Sequence, residues 1–106
     1  MVSMEAILDV CRRIGNEFHA DRVILFGSHA HGRAAPDSDV DLLVIMPTDK
    51  DPVDESVAIR MAIRPPFPVD LLVRTPEKIR QRLIIGDPFI REILDHGKPL
   101  YEAADR

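Results

Sequence analysis

Three short apolar runs, each followed within three residues by a glycine or a proline, restrict the fold of this chain more than any other sequence feature. Apolar runs of this length, closed by turn-forming residues, are typical of buried β-strands. We therefore predict three strands from this pattern. They are Arg22–Phe26, Val40–Met46 and Val69–Val73.

The segments around these runs carry helix signals. Apolar residues recur at helical spacing in the first segment, and Ser, Asp and Thr stand where N-caps are expected, two of them followed directly by proline. Strands that alternate with helices favour a single α/β or α+β sheet covered by helices, in one domain over residues 1–106. The predicted helices are Ser3 to about His19, Val53 to about Ile63, Pro76 to about Ile85 and Phe89–His96, with Gly97 as a C-cap and Lys98–Glu102 as a short edge strand.

Composition excludes several classes of protein. The 106 residues carry a net charge of -4, whereas a chain that binds nucleic acid through phosphate neutralisation is normally basic, so we expect no direct nucleic-acid binding. Glu5 and Asp9 lie where a signal peptide would need an uncharged apolar region. The longest apolar run has five residues, whereas a membrane-spanning helix needs about 20. We therefore expect a cytoplasmic protein, whose one cysteine, Cys11, is an inert buried thiol.

Three aspartates interrupt the apolar runs. Asp39 and Asp41 are two residues apart at the second predicted strand, so they should share one face, with Val40 and Leu42 on the other. Asp70 interrupts the third run, which otherwise has the composition of a buried strand. Burying ionised carboxylates without a partner costs several kcal/mol, and no lysine or arginine lies among the apolar residues of these two runs. The sequence therefore predicts a cation between them.

Oxygen ligands without histidine or thiolate suit Mg²⁺ or Mn²⁺. Two such ions about 3.5 to 4 Å apart can clamp the attacking and leaving oxygens of a phosphoryl-type transfer. Before the carboxylates, Gly27 allows a turn at the end of the first strand, and Ser28 begins a short helical segment to about Gly32 whose N–H groups and hydroxyl could hold a phosphate. Taken alone, a Gly-Ser pair is also consistent with an ordinary turn.

The sequence contains a Gly-Ser pair, then ten residues, then Asp-x-Asp. This combination occurs by chance in about one of a thousand chains of this length. The stretch Ile24–Leu42 that carries it resembles the signature of the DNA polymerase β-like nucleotidyltransferase superfamily, and the small size resembles the minimal nucleotidyltransferases (MNT). The resemblance covers nearly all of the chain, including Pro68-Val69-Asp70-Leu71 and the ending Gly97 to Glu102. It implies the nucleotidyltransferase fold, a small mixed β-sheet flanked by helices.

The resemblance also implies the chemistry. Asp39 and Asp41 would hold the metals, Asp70 would complete the cluster and is the candidate to take the proton of the attacking hydroxyl, and Gly27 and Ser28 would hold the triphosphate. The expected activity is Mg²⁺-dependent transfer of AMP from ATP, with two ions and with Mn²⁺ as an alternative metal. Because no second domain fits in this length, the acceptor should arrive on a partner protein. In the family this resembles the antitoxin of a toxin–antitoxin pair, whose partner is a HEPN-domain toxin with a tyrosine acceptor.

Two histidines depart from the family pattern. His29 and His31 stand where arginines are common, which puts any phosphate contact of those arginines in doubt. We expect turn or solvent-exposed side chains at both positions, with a protonated imidazole or Arg33 near phosphate as the alternative. The helix arginines, including Arg60 and Arg82, are expected on solvent-facing surfaces.

Two other functions are consistent with the same residues. One is a non-catalytic subunit that masks a partner protein by contact, in which the carboxylates are relics. The other is a small-molecule nucleotidyltransferase that works as a homodimer and builds its acceptor pocket across the interface. An intact set of three carboxylates favours the catalytic hypothesis over the first of these, because unused carboxylates cost stability.

Overall fold

The computed structural model describes residues 1–104 and contains four helices, four strands and one short 3₁₀ turn, Ser28–Ala30. Residues 105 and 106, which the predicted domain includes, lie outside the described part. None of the helices within residues 1–104 is long and apolar enough to span a lipid bilayer. The elements are α1 Met4–Phe18, β1 Arg22–Phe26, β2 Val40–Ile45, α2 Pro52–Ile63, β3 Val69–Arg74, α3 Pro76–Ile84, α4 Pro88–His96 and β4 Lys98–Glu102.

Local signals explain where the helices begin. The side chain of Ser3 accepts a hydrogen bond from the Ala6 N–H, and the N-cap residues Asp51, Thr75 and Asp87 each precede a proline at the first helical position. Proline there has no N–H to leave unsatisfied, and its fixed φ suits the first turn. All four helices were predicted, with ends that differ by at most one residue. The predicted C-cap Gly97 is confirmed, although its backbone is extended rather than left-handed.

The strands form one mixed sheet in the order β3-β2-β1-β4. β1 pairs antiparallel with both β2 and β4, whereas β2 and β3 are parallel and are joined by α2. This confirms the predicted mixed sheet flanked by helices. β2 begins at Val40, as predicted, and ends at Ile45, one residue earlier than predicted, and Asp39 directly precedes it.

Both faces of the sheet are covered by helices. Alternate residues of β2 separate the two cores, since Leu42 and Val44 pack with α1 and α2 while Leu43 and Ile45 pack with α3 and α4. The first core also contains Cys11, and burial raises the pKa of its thiol to about 12. This thiol is therefore protonated at neutral pH, as the prediction of an inert buried cysteine requires.

Candidate active site

The parallel pairing of β2 and β3 brings two of the predicted carboxylates together. Asp41 and Asp70 are register partners on these adjacent strands, so their side chains leave the same face of the sheet. A backbone hydrogen bond from the Val40 N–H to the Pro68 carbonyl oxygen, 3.0 Å long, ties the two strand beginnings to each other. Asp39, two residues before Asp41, completes the predicted set at this end of the sheet.

The three carboxylates differ in exposure. Asp41 is half-buried, whereas Asp39 and Asp70 are exposed. The expectation that Asp70 lies in a strand buried on both faces was wrong, because β3 is buried only on the face of Val69, Leu71 and Val73, and Asp70 is on the other face. The cost of burial therefore falls mainly on Asp41.

Electrostatic repulsion is also concentrated on Asp41. Burial, followed by the negative charges of Asp70 and Asp39, raises the pKa of Asp41, and His29 partly opposes this shift. None of the three carboxylates makes an ion pair or a side-chain hydrogen bond with another described residue. A cation would relieve this repulsion, and carboxylate oxygens are the donors that Mg²⁺ prefers.

The donor set fits a divalent metal in chemistry, but the side chains do not converge as placed. Within residues 1–104, no three His, Cys, Asp or Glu side chains form a cluster that could hold a metal ion. Asp39 and Asp70 are exposed and can change rotamer without disturbing the core. A metal site at Asp39, Asp41 and Asp70 therefore stays a prediction.

Gly27 touches the central carboxylate directly. Its backbone has φ 75° and ψ -156°, a region that residues with a Cβ rarely adopt, and a Cβ built on it would overlap Asp41 Oδ2. The sequence predicted a turn at Gly27. The close approach to Asp41 follows only from the antiparallel pairing of β1 with β2, which places Phe26 opposite Asp41.

Ser28 begins the 3₁₀ turn and is half-buried. Its carbonyl oxygen accepts hydrogen bonds from the N–H groups of His31, at 3.2 Å, and Arg33, at 2.9 Å. The predicted helical segment to about Gly32 is thus shorter and ends at Ala30. The turn nevertheless places Gly27 and Ser28 at the same end of the sheet as Asp41.

The two histidines behave differently. His31 is exposed and His29 lies in the 3₁₀ turn, as expected, but His29 is half-buried and donates a hydrogen bond from Nε2 to the Ser38 carbonyl oxygen, 3.1 Å away. This bond joins the turn after β1 to the loop that precedes Asp39. Sequence reasoning missed the contact because the two residues are nine positions apart in a segment without periodicity.

Arg60 is a second residue that supports the site from outside it. Its guanidinium donates a hydrogen bond from Nη1 to the Val69 carbonyl oxygen at 2.8 Å, next to Asp70. The sequence predicted only a solvent-facing arginine here. The contact ties α2 to the beginning of β3, where Asp70 stands.

From the raised pKa of Asp41 we predict how the stability of the protein changes with pH. Because its folded-state pKa lies above the unfolded value of about 3.9, the native state binds more protons between these two values, and the free energy of unfolding falls as the pH rises through them. Asparagine cannot ionise, so metal-free Asp41→Asn is expected to melt at a higher temperature than the parent at pH 7, with a smaller difference at pH 4. Thermal melts at both pH values measure this, with the exposed loop substitution Asp49→Asn as the charge-matched control. A lower melting temperature for Asp41→Asn at pH 7 would show that Asp41 has a favourable partner.

Comparison with known proteins identifies the family. The nucleotidyltransferase domain family matches residues 4–100. "Putative protein adenylyltransferase MJ0141" of Methanocaldococcus jannaschii is 38% identical over 80 residues, which cover 73% of this chain and 75% of that protein.

Solved structures have the same fold. A crystal structure described as a "putative nucleotidyltransferase" from Sulfolobus solfataricus superimposes with a TM-score of 0.57 at 21% identity and covers 73% of this chain and 70% of its own. A toxin–antitoxin crystal structure with AMP-PNP gives a TM-score of 0.57 at 20% identity and covers 96% of this chain and 75% of its own. Fold, family match and sequence similarity agree, and the chain belongs to the nucleotidyltransferase domain family.

Proposed function

We propose that this nucleotidyltransferase transfers AMP from ATP to a hydroxyl of a partner protein, with a tyrosine of a HEPN-domain toxin as the acceptor. The observation that carries the proposal is the register pairing of Asp41 with Asp70 at an open end of the sheet, with Gly27 packed against Asp41. A carboxylate that packs against a glycine turn at the end of a strand supports a site for a metal and a phosphate.

Each site residue has a role in this reaction. Asp39, Asp41 and Asp70 would hold Mg²⁺, which when bound supplies charge stabilisation at the phosphoryl oxygens. Gly27 and Ser28 would hold the triphosphate through backbone N–H groups and the hydroxyl. The acceptor oxygen would bond to the α-phosphorus, pyrophosphate would leave with the bridging oxygen, and Asp70 would take the hydroxyl proton.

Two different proteins support the choice of acceptor and the choice of donor in this proposal. The relative from Methanocaldococcus jannaschii is named as a protein adenylyltransferase, which favours a protein acceptor. The structural neighbour with AMP-PNP is a toxin–antitoxin, which favours an ATP donor and a toxin as partner. Exposed Asp70 suits the role of a base, because an acceptor from another chain can reach it.

The test is to purify the chain together with the protein encoded next to it and to measure the mass of that neighbour with and without Mg-ATP. A gain of one or more AMP units, located on a tyrosine by fragmentation, is the expected result. Inhibition of the neighbour by contact without a mass change would instead indicate a non-catalytic subunit. Transfer of AMP only to added small hydroxyl compounds would indicate a small-molecule enzyme.

Asp70→Asn separates a metal-holding role from a structural one. Because Asp70 is exposed and has no side-chain partner among the described residues, the substitution should change the stability of the metal-free protein by less than about 0.5 kcal/mol. It should weaken the further stabilisation that Mg²⁺ with a non-hydrolysable ATP analogue gives by binding the native state. Thermal melts of parent and variant, each with and without ligand, measure both effects. Strong destabilisation of the metal-free variant with equal ligand stabilisation would make Asp70 a structural residue.

A further inference from the structure

A cleft of about 390 Å³ lies on the side of the sheet that α3 and α4 cover, which is also the face that carries Asp41. Its lining includes the basic side chains Arg74, Lys78 and Arg82 and the ring of Phe89. The volume is within the range of about 300 to 1,000 Å³ typical of ligand sites. We call this site the basic cleft.

The basic cleft has an excess of positive charge in an acidic protein. Its one carboxylate, Asp87, accepts a hydrogen bond from Arg82 Nε at 2.8 Å and also caps α4 by accepting from the Phe89 N–H. The hydrogen bond from Arg82 is the main cause that lowers the pKa of Asp87. Within residues 1–104, Lys78 has no acidic partner from the cleft, and neither does Arg74. Two positive charges therefore remain uncompensated, although the chain carries a net charge of -4.

A large apolar side chain lies among these cations. Phe89 lines the basic cleft and is 52% exposed. Ile85, the C-cap residue of α3, follows Arg82 by three residues and is 67% exposed. Exposed aromatic and aliphatic groups beside arginine are the composition found at the centres of protein interfaces.

The rings of two phenylalanines connect the basic cleft to the strand position opposite Asp41. The rings of Phe89 and Phe26 meet edge to face, with centroids 5.9 Å apart and planes at 84°. Phe26 is in turn the register partner of Asp41 across β1 and β2. The cleft begins at Arg74, the register partner of Ile45 four residues along β2 from Asp41, and includes Phe89, so a chain segment that passes Phe89 would lead toward the site at which AMP transfer is proposed.

We propose that the basic cleft binds an acidic segment of the acceptor protein and so presents the acceptor hydroxyl to the carboxylates. The inference rests on the proposed function in one respect, that the acceptor is a protein. A nucleotide is the other ligand that cations can recognise, but the exposed Phe89 in the cleft and the exposed Ile85 at the end of α3 suit a polypeptide that continues past the cleft. Opposite charges across such an interface increase the association rate and the specificity.

The test uses two fluorescent random copolymers as probes, one of glutamate and tyrosine and one of lysine and tyrosine. The parent chain should bind the glutamate copolymer, more weakly as salt is added, and should bind the lysine copolymer much less. Lys78→Glu should weaken the binding of the glutamate copolymer about tenfold or more. The matched control is Arg80→Glu, the same charge reversal at an exposed position of α3 outside the cleft, which should change the affinity less than about twofold.

Three outcomes would overturn the proposal. Equal weakening by Lys78→Glu and Arg80→Glu would indicate non-specific charge attraction. Weaker binding of a non-hydrolysable ATP analogue to Lys78→Glu, with unchanged copolymer affinity, would make the cleft a nucleotide site. If labelled AMP is transferred equally to both copolymers and Lys78→Glu has no effect, the proposed function stands but the basic cleft does not bind the acceptor.

The same assay separates this inference from the proposed function. If the glutamate copolymer binds in a Lys78-dependent manner but no acceptor gains AMP in Mg-ATP, the proposed transfer fails and the acidic-segment site stands. If the glutamate copolymer gains AMP faster than the lysine copolymer and Lys78→Glu removes that preference, both are supported.

Discussion

Asp39→Asn and Asp41→Asn are each expected to lower AMP transfer by at least about a hundredfold while the fold stays intact. A metal clamp contributes several kcal/mol to the transition state, and each 1.36 kcal/mol corresponds to about tenfold in rate. The amide of asparagine keeps the size of the side chain but loses the negative charge that a divalent cation requires. Neither carboxylate has an ion-pair partner within residues 1–104 that the substitution would leave unpaired. The measurement is transfer of labelled AMP from ATP to the partner protein in Mg²⁺.

Asp49→Asn is the matched control, because Asp49 is an exposed loop aspartate at the other end of β2. It should transfer AMP at the parent rate. Circular dichroism and a thermal melt establish that all three variants are folded. Full transfer by both site variants, with the fold confirmed, would remove Asp39 and Asp41 from the catalytic site.

Gly27→Val is expected to abolish nucleotide binding and to destabilise the protein. Any side chain at this φ and ψ costs about 1 to 3 kcal/mol of backbone strain, and the first side-chain carbon would also overlap Asp41 Oδ2. Either Asp41 moves from its position opposite Phe26 or the turn moves, and both results disrupt the predicted triphosphate site. Ser28→Ala should do less harm, because it removes one hydroxyl and keeps the backbone donors.

Gly86→Ala separates strain from overlap. Gly86 also has a positive φ, 80°, but a Cβ built there would have no atom within 4 Å from the rest of residues 1–104 beyond its two chain neighbours. We expect it to lose stability through strain alone and to keep the affinity of the parent for a non-hydrolysable ATP analogue. Chemical denaturation and analogue affinity, measured for Gly27→Val, Ser28→Ala and Gly86→Ala, test all three. Parent affinity in Gly27→Val would exclude a phosphate-holding turn.

The elements of this fold were predictable because their signals are local. A capping side chain, a proline at the first helical position and an apolar run closed by a turn act over a few residues, so they can be recognised without knowing the contacts of the rest of the chain. The strand Arg22–Phe26 and the caps at Ser3 and Thr75 were predicted for this reason. The Gly-Ser and Asp-x-Asp spacing also lies within one short segment.

The residues around the carboxylates were less predictable. Asp70 has the same apolar neighbours in sequence as a buried residue, and its exposure depends on which face of β3 is buried in the tertiary structure. His29 lies in a turn and Arg60 is exposed, as expected, but their hydrogen bonds to backbone carbonyl oxygens near the site were not predicted. Such contacts depend on how separate elements pack, for which the sequence carries no periodic signal.

The sequence by itself determined the strands, the helices and the candidate site residues, because these follow from side-chain periodicity, capping and motif spacing within short segments. Only the tertiary structure decided that β2 and β3 run parallel in register, which makes Asp41 and Asp70 neighbours across 29 residues of chain. It also decided that Arg74, Lys78 and Arg82 meet Phe89 in one cleft next to Phe26. The physical reason is that strand order and helix docking are selected by burial of the whole apolar surface, a property of all the elements together.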